Sequence, residues 1–163
     1  MDVEFLPLIS RWLHILSAII LMGGTVFLRW TVVPLQIQEE DQEAWFAPMR
    51  ASWSKLVMFS ILFLLASGLY NTAIKSMTYE LVGGPYLVLL TIKILIALVI
   101  FFLVSVLSGR SKLAVKFRSE GAKWYNLTIA AMLLLVCIAG YMKSTPVELK
   151  EKEPTTAAII KNY

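Results

Sequence analysis

The sequence predicts an all-α integral membrane protein, a bundle of four spanning helices, and three observations carry that assignment. The chain is 58% hydrophobic and only 16% charged, with a mean hydropathy of +0.73, more apolar than an ordinary soluble domain. Four apolar segments stand out: Leu8–Val33, Leu56–Ala73, Tyr86–Ser108 and Trp124–Met142. Each is close to the roughly 20 residues that a helix needs to cross ~30 Å of hydrocarbon. The segments also lack the polar face that a soluble four-helix bundle would show at helical period. Ile92–Leu107 contains only Lys93 and Ser105 as polar residues, and Ile129–Ile138 contains none.

Within 163 residues, four spans leave no room for a globular catalytic unit. Residues 1–143 read as one transmembrane domain and 144–163 as a polar tail. The N-terminus carries Asp2 and Glu4 instead of a basic stretch, so the first span is expected to be retained and not cleaved. A single cysteine, Cys137, excludes an internal disulfide and a cysteine-cluster metal site. The net charge of +4 does not point to nucleic acid, because the basic residues gather in one loop.

That loop, Gly109–Lys123, holds Arg110, Lys112, Lys116, Arg118 and Lys123 against Glu120 alone. The positive-inside rule makes it cytoplasmic. Alternation then gives an N-out/C-out, multi-pass protein of a bacterial-type inner (cytoplasmic) membrane. Trp12, Tyr70, Tyr86 and Tyr141 are expected at the outer surface, and Trp30, Trp53, Trp124 and Tyr125 at the inner one, where aromatic rings sit among headgroups. The first cytoplasmic loop, with Glu39, Glu40, Asp41 and Glu43 ahead of Trp45-Phe46, is expected to form a short surface helix ended near Pro48. The tail after Ser144 is expected to be extended, its Ala157–Ile160 patch a terminal feature without a role.

The only histidine, His14, lies about six residues into the first span. The only mid-span lysine, Lys93, lies about seven residues into the third. Both sit roughly 9–11 Å below the outer surface, and spans one and three run the same way in any four-span arrangement. Hydrocarbon offers no water to either group, so each needs a partner, a ligand or a cavity. In a soluble core, a lone histidine bonded to a serine or carbonyl would be ordinary; in a membrane, ionisable residues are functional by default. Lys93, among Ile92, Ile94 and Leu95, has no easy escape to water.

Helical spacing places Ala18, Leu21 and Thr25 on the face of His14, with Ser17 on its flank. On span two, Ser60, Ser67 and Asn71 form a polar stripe beside Gly68; on span four, Asn126, Ala130, Cys137 and Tyr141 line up likewise. Small and polar stripes are expected inside a bundle, where backbones approach and side chains pair. Gly23-Gly24 offers a second point of close approach. Arg29 beside Trp30 reads as an anchor at the inner boundary, and Cys137 as a small packing residue.

Neutral imidazole suits haem iron, copper or zinc. Zinc wants about four suitable ligands, which one histidine, one cysteine and no mid-span carboxylate cannot supply. Copper(I) favours clustered sulfur, whereas Met22, Met58, Met132 and Met142 are scattered in depth and face. Haem needs only one or two axial ligands, and a four-helix bundle is a natural holder. Haem b is therefore the expected cofactor, with copper the alternative. His14 is the metal ligand, and Arg11, Lys75 and Lys93 are partners for the propionates. The candidate cofactor-binding set is His14, Lys93, Arg11, Ser67, Asn71 and Tyr86. Met142, Met77 or a symmetry-related His14 could complete the iron, or its sixth position could be open.

Trp12-Leu13-His14, followed by Gly23-Gly24 and Pro34, resembles the first helix of CopD-like (copper resistance protein D domain) membrane proteins. Ala66-Ser67-Gly68-Leu69-Tyr70-Asn71 is similar to that family's second-helix ending, and Tyr86 with Leu89-Leu90-Thr91-Ile92-Lys93 to its third-helix lysine motif. The four-helix plan, with a first-helix histidine and a third-helix lysine, also resembles HemJ-type protoporphyrinogen oxidases. The likeness covers roughly residues 11 to 108. Leu21-Met22 stands where CopD-like chains usually have a tryptophan, and Asn126 where many have an acid. Only Arg29 matches the further histidine and arginine of the HemJ type.

The resemblance implies a membrane cofactor or metal protein. Haem-based electron transfer, a HemJ-type membrane oxidoreductase passing electrons to quinone, copper uptake, and a structural subunit of a larger membrane complex are the functions it admits. A lipid bilayer, a quinone or redox partner, and further copies of the chain in a homo-oligomer are the corresponding partners.

Overall fold

The computed structural model of the chain describes residues 5–36, 43–80, 85–144 and 148–149. Its elements are α1 (Phe5–Phe27), a π-helical turn (Leu28–Val32), α2 (Val33–Gln36), α3 (Glu43–Thr78), β1 (Tyr79–Glu80), α4 (Pro85–Ser108), α5 (Lys112–Ser119), α6 (Gly121–Ser144) and β2 (Glu148–Leu149). Four helical stretches, Phe5–Leu35, Phe46–Met77, Pro85–Ser108 and Gly121–Ser144, are long and apolar enough to cross a membrane, and they contain the four segments expected from sequence. They pack up-down-up-down: α1 beside α3, α3 beside α4, α4 beside α6, and α6 back against α1. Outward faces carry large apolar side chains such as Ile15, Ile19, Phe59, Leu69, Val99 and Leu134. In water so large an apolar surface would drive association; against acyl chains it is the ordinary exterior. The chain is a multi-pass membrane protein.

Burial follows steps of three and four residues. On α1 and the π turn the inward positions are Ser10, Ser17, Leu21, Thr25, Leu28 and Val32. On α3 they include Val57, Ser60 and Ser67, and on α6 Gly121, Tyr125, Thr128, Met132 and Met142. Steps of three and four keep one face of each helix turned to its neighbours. One layer joins Leu21, Val57, Ile100, Val104 and Met132; the next, toward α5, joins Leu28, Val32, Leu107 and Tyr125. At the far end only Tyr86 and Met142 form a buried pair. Between that pair and the first layer, the seam residues His14, Leu64, Asn71, Lys93, Ile96, Leu135 and Ile138 are only half-buried. Buried serines, Ser10, Ser17, Ser60 and Ser67, stand among them.

Several expectations are corrected. The surface helix ending near Pro48 does not form as a separate element; α3 runs through Pro48 without a break. The bond a proline cannot make would reach Ala44, in the first turn, where helix ends fray in any case. Ahead of Pro34 the helix widens, and the Val33 N–H bonds the Leu28 carbonyl five residues back. Pro34 lacks an N–H and crowds the carbonyl four residues before it, and the π register accommodates both. The basic loop contains α5, begun by Ser111, whose side chain accepts from the Ala114 N–H at 3.2 Å.

Faces are corrected too. Ala18 is exposed, because the seam steps from His14 to Ser17. Asn126, Ala130, Cys137 and Tyr141 all point outward, since α6 turns Tyr125, Thr128 and Met132 inward. Among the expected interfacial rings, Tyr86 and Tyr125 are buried and Trp53 packs into the core, whereas Trp12, Trp30 and Tyr141 are exposed. β1 pairs antiparallel with β2, Tyr79 opposite Leu149, which puts the α3–α4 connection and the segment after α6 at one end, as four spans require. Glu39–Asp41 and Ala157–Ile160 lie outside the described residues.

Of the two adjacent glycines, only one makes a close approach. A Cβ on Gly24 would overlap the Trp53 ring of α3, while Gly23 is exposed and has nothing near it. Gly24→Ala should therefore destabilise the bundle by about 1–3 kcal/mol through overpacking. Gly23→Ala should be neutral or slightly stabilising, because it only improves helix propensity. Thermal unfolding of the two variants in one detergent checks the contrast.

Candidate functional site

The antiparallel pairing of α1 with α3 brings Ser67 beside His14, whose Nδ1 lies 2.8 Å from Ser67 Oγ. The proton positions follow from the serine. A hydroxyl has one hydrogen, and Ser67 directs it to the Phe63 carbonyl one turn back on its own helix. It therefore turns a lone pair toward the ring, and Nδ1 must be the donor. In neutral imidazole this leaves Nε2 with its lone pair. The ring lies over Gly68, where an added Cβ would stand 3.6 Å from Cε1. Beneath, Ser10 donates to the Ser67 carbonyl at 3.4 Å.

Lys93 arrives by register. Leu21 and Ile100 share a layer, and so do Leu28 and Leu107, seven residues further along α1 and α4. Seven residues the other way, the same step reaches His14 on α1 and Lys93 on α4. The two are within electrostatic reach of each other. Lys93 is likewise within reach of Lys75 on α3, and the Lys75 ammonium sits 3.9 Å above the centre of the Tyr86 ring, a cation–π contact. Three helices thus direct an imidazole and two amines into one half-buried region. Among the described residues, no hydrogen bond or ion pair holds the Lys93 ammonium.

The structure brings His14, Ser67 and Lys93 together, and joins Tyr86 to them through Lys75. Asn71 is half-buried one turn along α3 from Ser67, and Arg11 is exposed on α1. Met142 is buried against Tyr86, while Met77 is 73% exposed. Ser10 was not singled out by the sequence, although its spacing of four from His14 put it on the same face. Among the described residues, no three His, Cys, Asp or Glu side chains gather to hold a metal ion. Cys137 is exposed rather than packed. A second polar contact between spans lies at the opposite end, where Arg29 Nε donates to Asn126 Oδ1 at 2.6 Å. Arg29 is thus a link between α1 and α6.

Neither a scan of protein-family models nor searches of characterised proteins and of solved structures found a match to this chain.

The serine makes a direct prediction about the ring. In protein carrying 15N-labelled histidine, the imidazole should show a protonated Nδ1 and a bare Nε2. Ser67→Ala should move both nitrogen resonances toward the averaged values of exchanging tautomers. A protonated Nε2 in the parent protein would overturn the assignment.

Proposed function

We propose that this chain is a membrane haem b protein that transfers electrons, with His14 as the iron ligand in the half of the bundle away from α5. The observation that carries the reading is the Phe63–Ser67–His14 relay, which fixes the ring and leaves Nε2 with an available lone pair. Metal-bound histidines characteristically donate their other ring nitrogen to a fixed acceptor in this way. The donor set fits haem better than a bare metal ion, because haem asks one or two ligands of the protein. A copper ion held by protein groups alone has less support, given the ligand groups found among the described residues.

The remaining residues supply orientation and charge. Lys93 and Lys75 offer cations to carboxylate side groups from α4 and α3. Arg11, being exposed, would reach one only near the surface. Haem, when bound, supplies one-electron iron chemistry, and the protein sets its potential through the ligand and nearby charge. The basic α5 end would face the cytoplasm by the charge rule, placing this site in the outer half of an inner membrane. Quinone or another redox partner, and further copies of the chain, are the partners this reading calls for.

Detergent-purified protein expressed with ample haem should show a Soret band in oxidised and reduced spectra. His14→Ala should abolish it, and Ser67→Ala should weaken haem retention about 10-fold. Lys93→Gln should retain haem but shift its potential downward, because a positive charge near the iron is removed. A parent protein without a Soret band after haem supplementation would sink the proposal.

A further inference from the structure

At the end of the bundle opposite His14, a cleft of about 570 Å³ opens between Val33 of α2, Arg118 of α5 and the first turns of α6, Glu120 to Tyr125. Below it lies a cavity of about 10 Å³, the space of one water molecule. The cavity shares Arg118 and Tyr125 with the cleft and adds Arg50 and Ser108. Among the described residues lining this corner, Arg118, Arg50 and Lys123 are the cations and Glu120 is the carboxylate, which pairs with Lys123 at 3.4 Å.

Three features make this corner more than a basic surface. Arg118 is held in place, its Nη1 donating to the Gly109 carbonyl at 2.6 Å, beyond the last turn of α4. Gly121 and Ala122 bring the start of α6 to the cleft wall; the Lys123 and Trp124 amides bond the Glu120 carbonyl, and those of Gly121 and Ala122 are the first amides of the helix, which have no acceptor within it. Tyr125 lines both spaces yet is only 7% exposed. Among the described residues no hydrogen bond satisfies its hydroxyl, although buried tyrosine hydroxyls usually find a partner. The phenol is within electrostatic reach of both Arg118 and Arg50. The Ser108 hydroxyl, by contrast, already donates to the Val104 carbonyl at 2.7 Å.

Helix amides, fixed cations and a buried hydroxyl donor converging on one opening are complementary to an anion. The exposed Trp30 and the half-buried Trp124 lie at this end of the bundle, as interfacial aromatics do at the level of lipid phosphates. We infer that the α5–α6 corner binds a phosphate group, through Arg118, Lys123, the Tyr125 hydroxyl and the first amides of α6. An anionic phospholipid and free phosphate offer the same chemistry. This site is independent of the cofactor site at the other end.

Native mass spectrometry of the detergent-purified full chain tests this, with phosphatidylglycerol, diacylglycerol and inorganic phosphate as separate probes. Phosphatidylglycerol should be retained at least tenfold more than diacylglycerol, which has the same tails without the phosphate. Tyr125→Phe, which keeps the ring and loses the hydroxyl, should lower retention three- to tenfold. Lys123→Gln, at an exposed position, should do the same without touching the core. Retention of inorganic phosphate alone, reduced in both variants, would support the site and identify the free anion as its ligand. Equal retention of phosphatidylglycerol and diacylglycerol with no phosphate bound, or parent-level binding in both variants, would overturn the inference.

Discussion

Inside hydrocarbon a polar group must find its partner within the protein, and this constraint organises the bundle more than any apolar contact does. Buried hydroxyls meet it locally: Thr25, Ser108 and Thr128 each donate to the carbonyl one turn back on their own helix. Such a bond satisfies the donor without help from a second helix, so it does not fix how helices sit against one another. His14 has no such option, because the ring reaches sideways rather than back along its own helix. Its bond to Ser67 therefore couples two spans. Ser67 can accept it only because its own hydrogen goes to Phe63, and one hydroxyl thus meets both the local and the long-range demand.

That single coupling is propagated by the seven-residue step of the seam. Once Ser67 fixes α3 against α1, the layers that follow are set: Leu21 with Ile100 and Met132, then Leu28 with Leu107 and Tyr125. Small residues make the step possible where large ones meet. Gly24 gives way to Trp53, and Gly68 to the imidazole. Lys93 enters the polar layer because it occupies on α4 the position that Ile100 and Leu107 repeat toward the other end. Apolar layering, and not attraction, brings the amine to the imidazole.

The spans and the rarity of His14 and Lys93 were legible in the sequence because both depend on composition along the chain. The facing of helices was harder to read. In water, hydrophobicity itself marks the inward face; in lipid both faces are apolar, and only small or polar residues remain as cues. That cue served on α3, where Ser60 and Ser67 are buried. It misled on α6, where Asn126, Ala130 and Cys137 point outward and Met132 and Tyr125 point in. Asn126 is polar and outward because it answers Arg29 across the helix pair, a relation between two residues far apart in sequence. Pro34 and Pro48 misled through the same locality, since a helix can absorb a missing donor by widening or by losing one bond near its end.

The two ends of the bundle differ for a reason that bears on function. At the α5 end, Arg118 fastens the short helix to the carbonyls that end α4, and the Phe117 ring stacks on Trp124 with centroids 4.3 Å apart. With α5 pinned against both α4 and α6, the layer of Leu28, Leu107 and Tyr125 is covered, with a cavity of about 10 Å³ left beside it. At the His14 end a two-residue strand pairing joins the α3–α4 connection to the segment after α6, and the seam behind it mixes buried serines with half-buried side chains. A close-packed interior resists insertion, because any added volume must displace side chains already in contact. Near His14 the interior is held by polar contacts as well, the ring to Ser67 and Ser10 to the Ser67 carbonyl, so a change there loses hydrogen bonds in addition to packing.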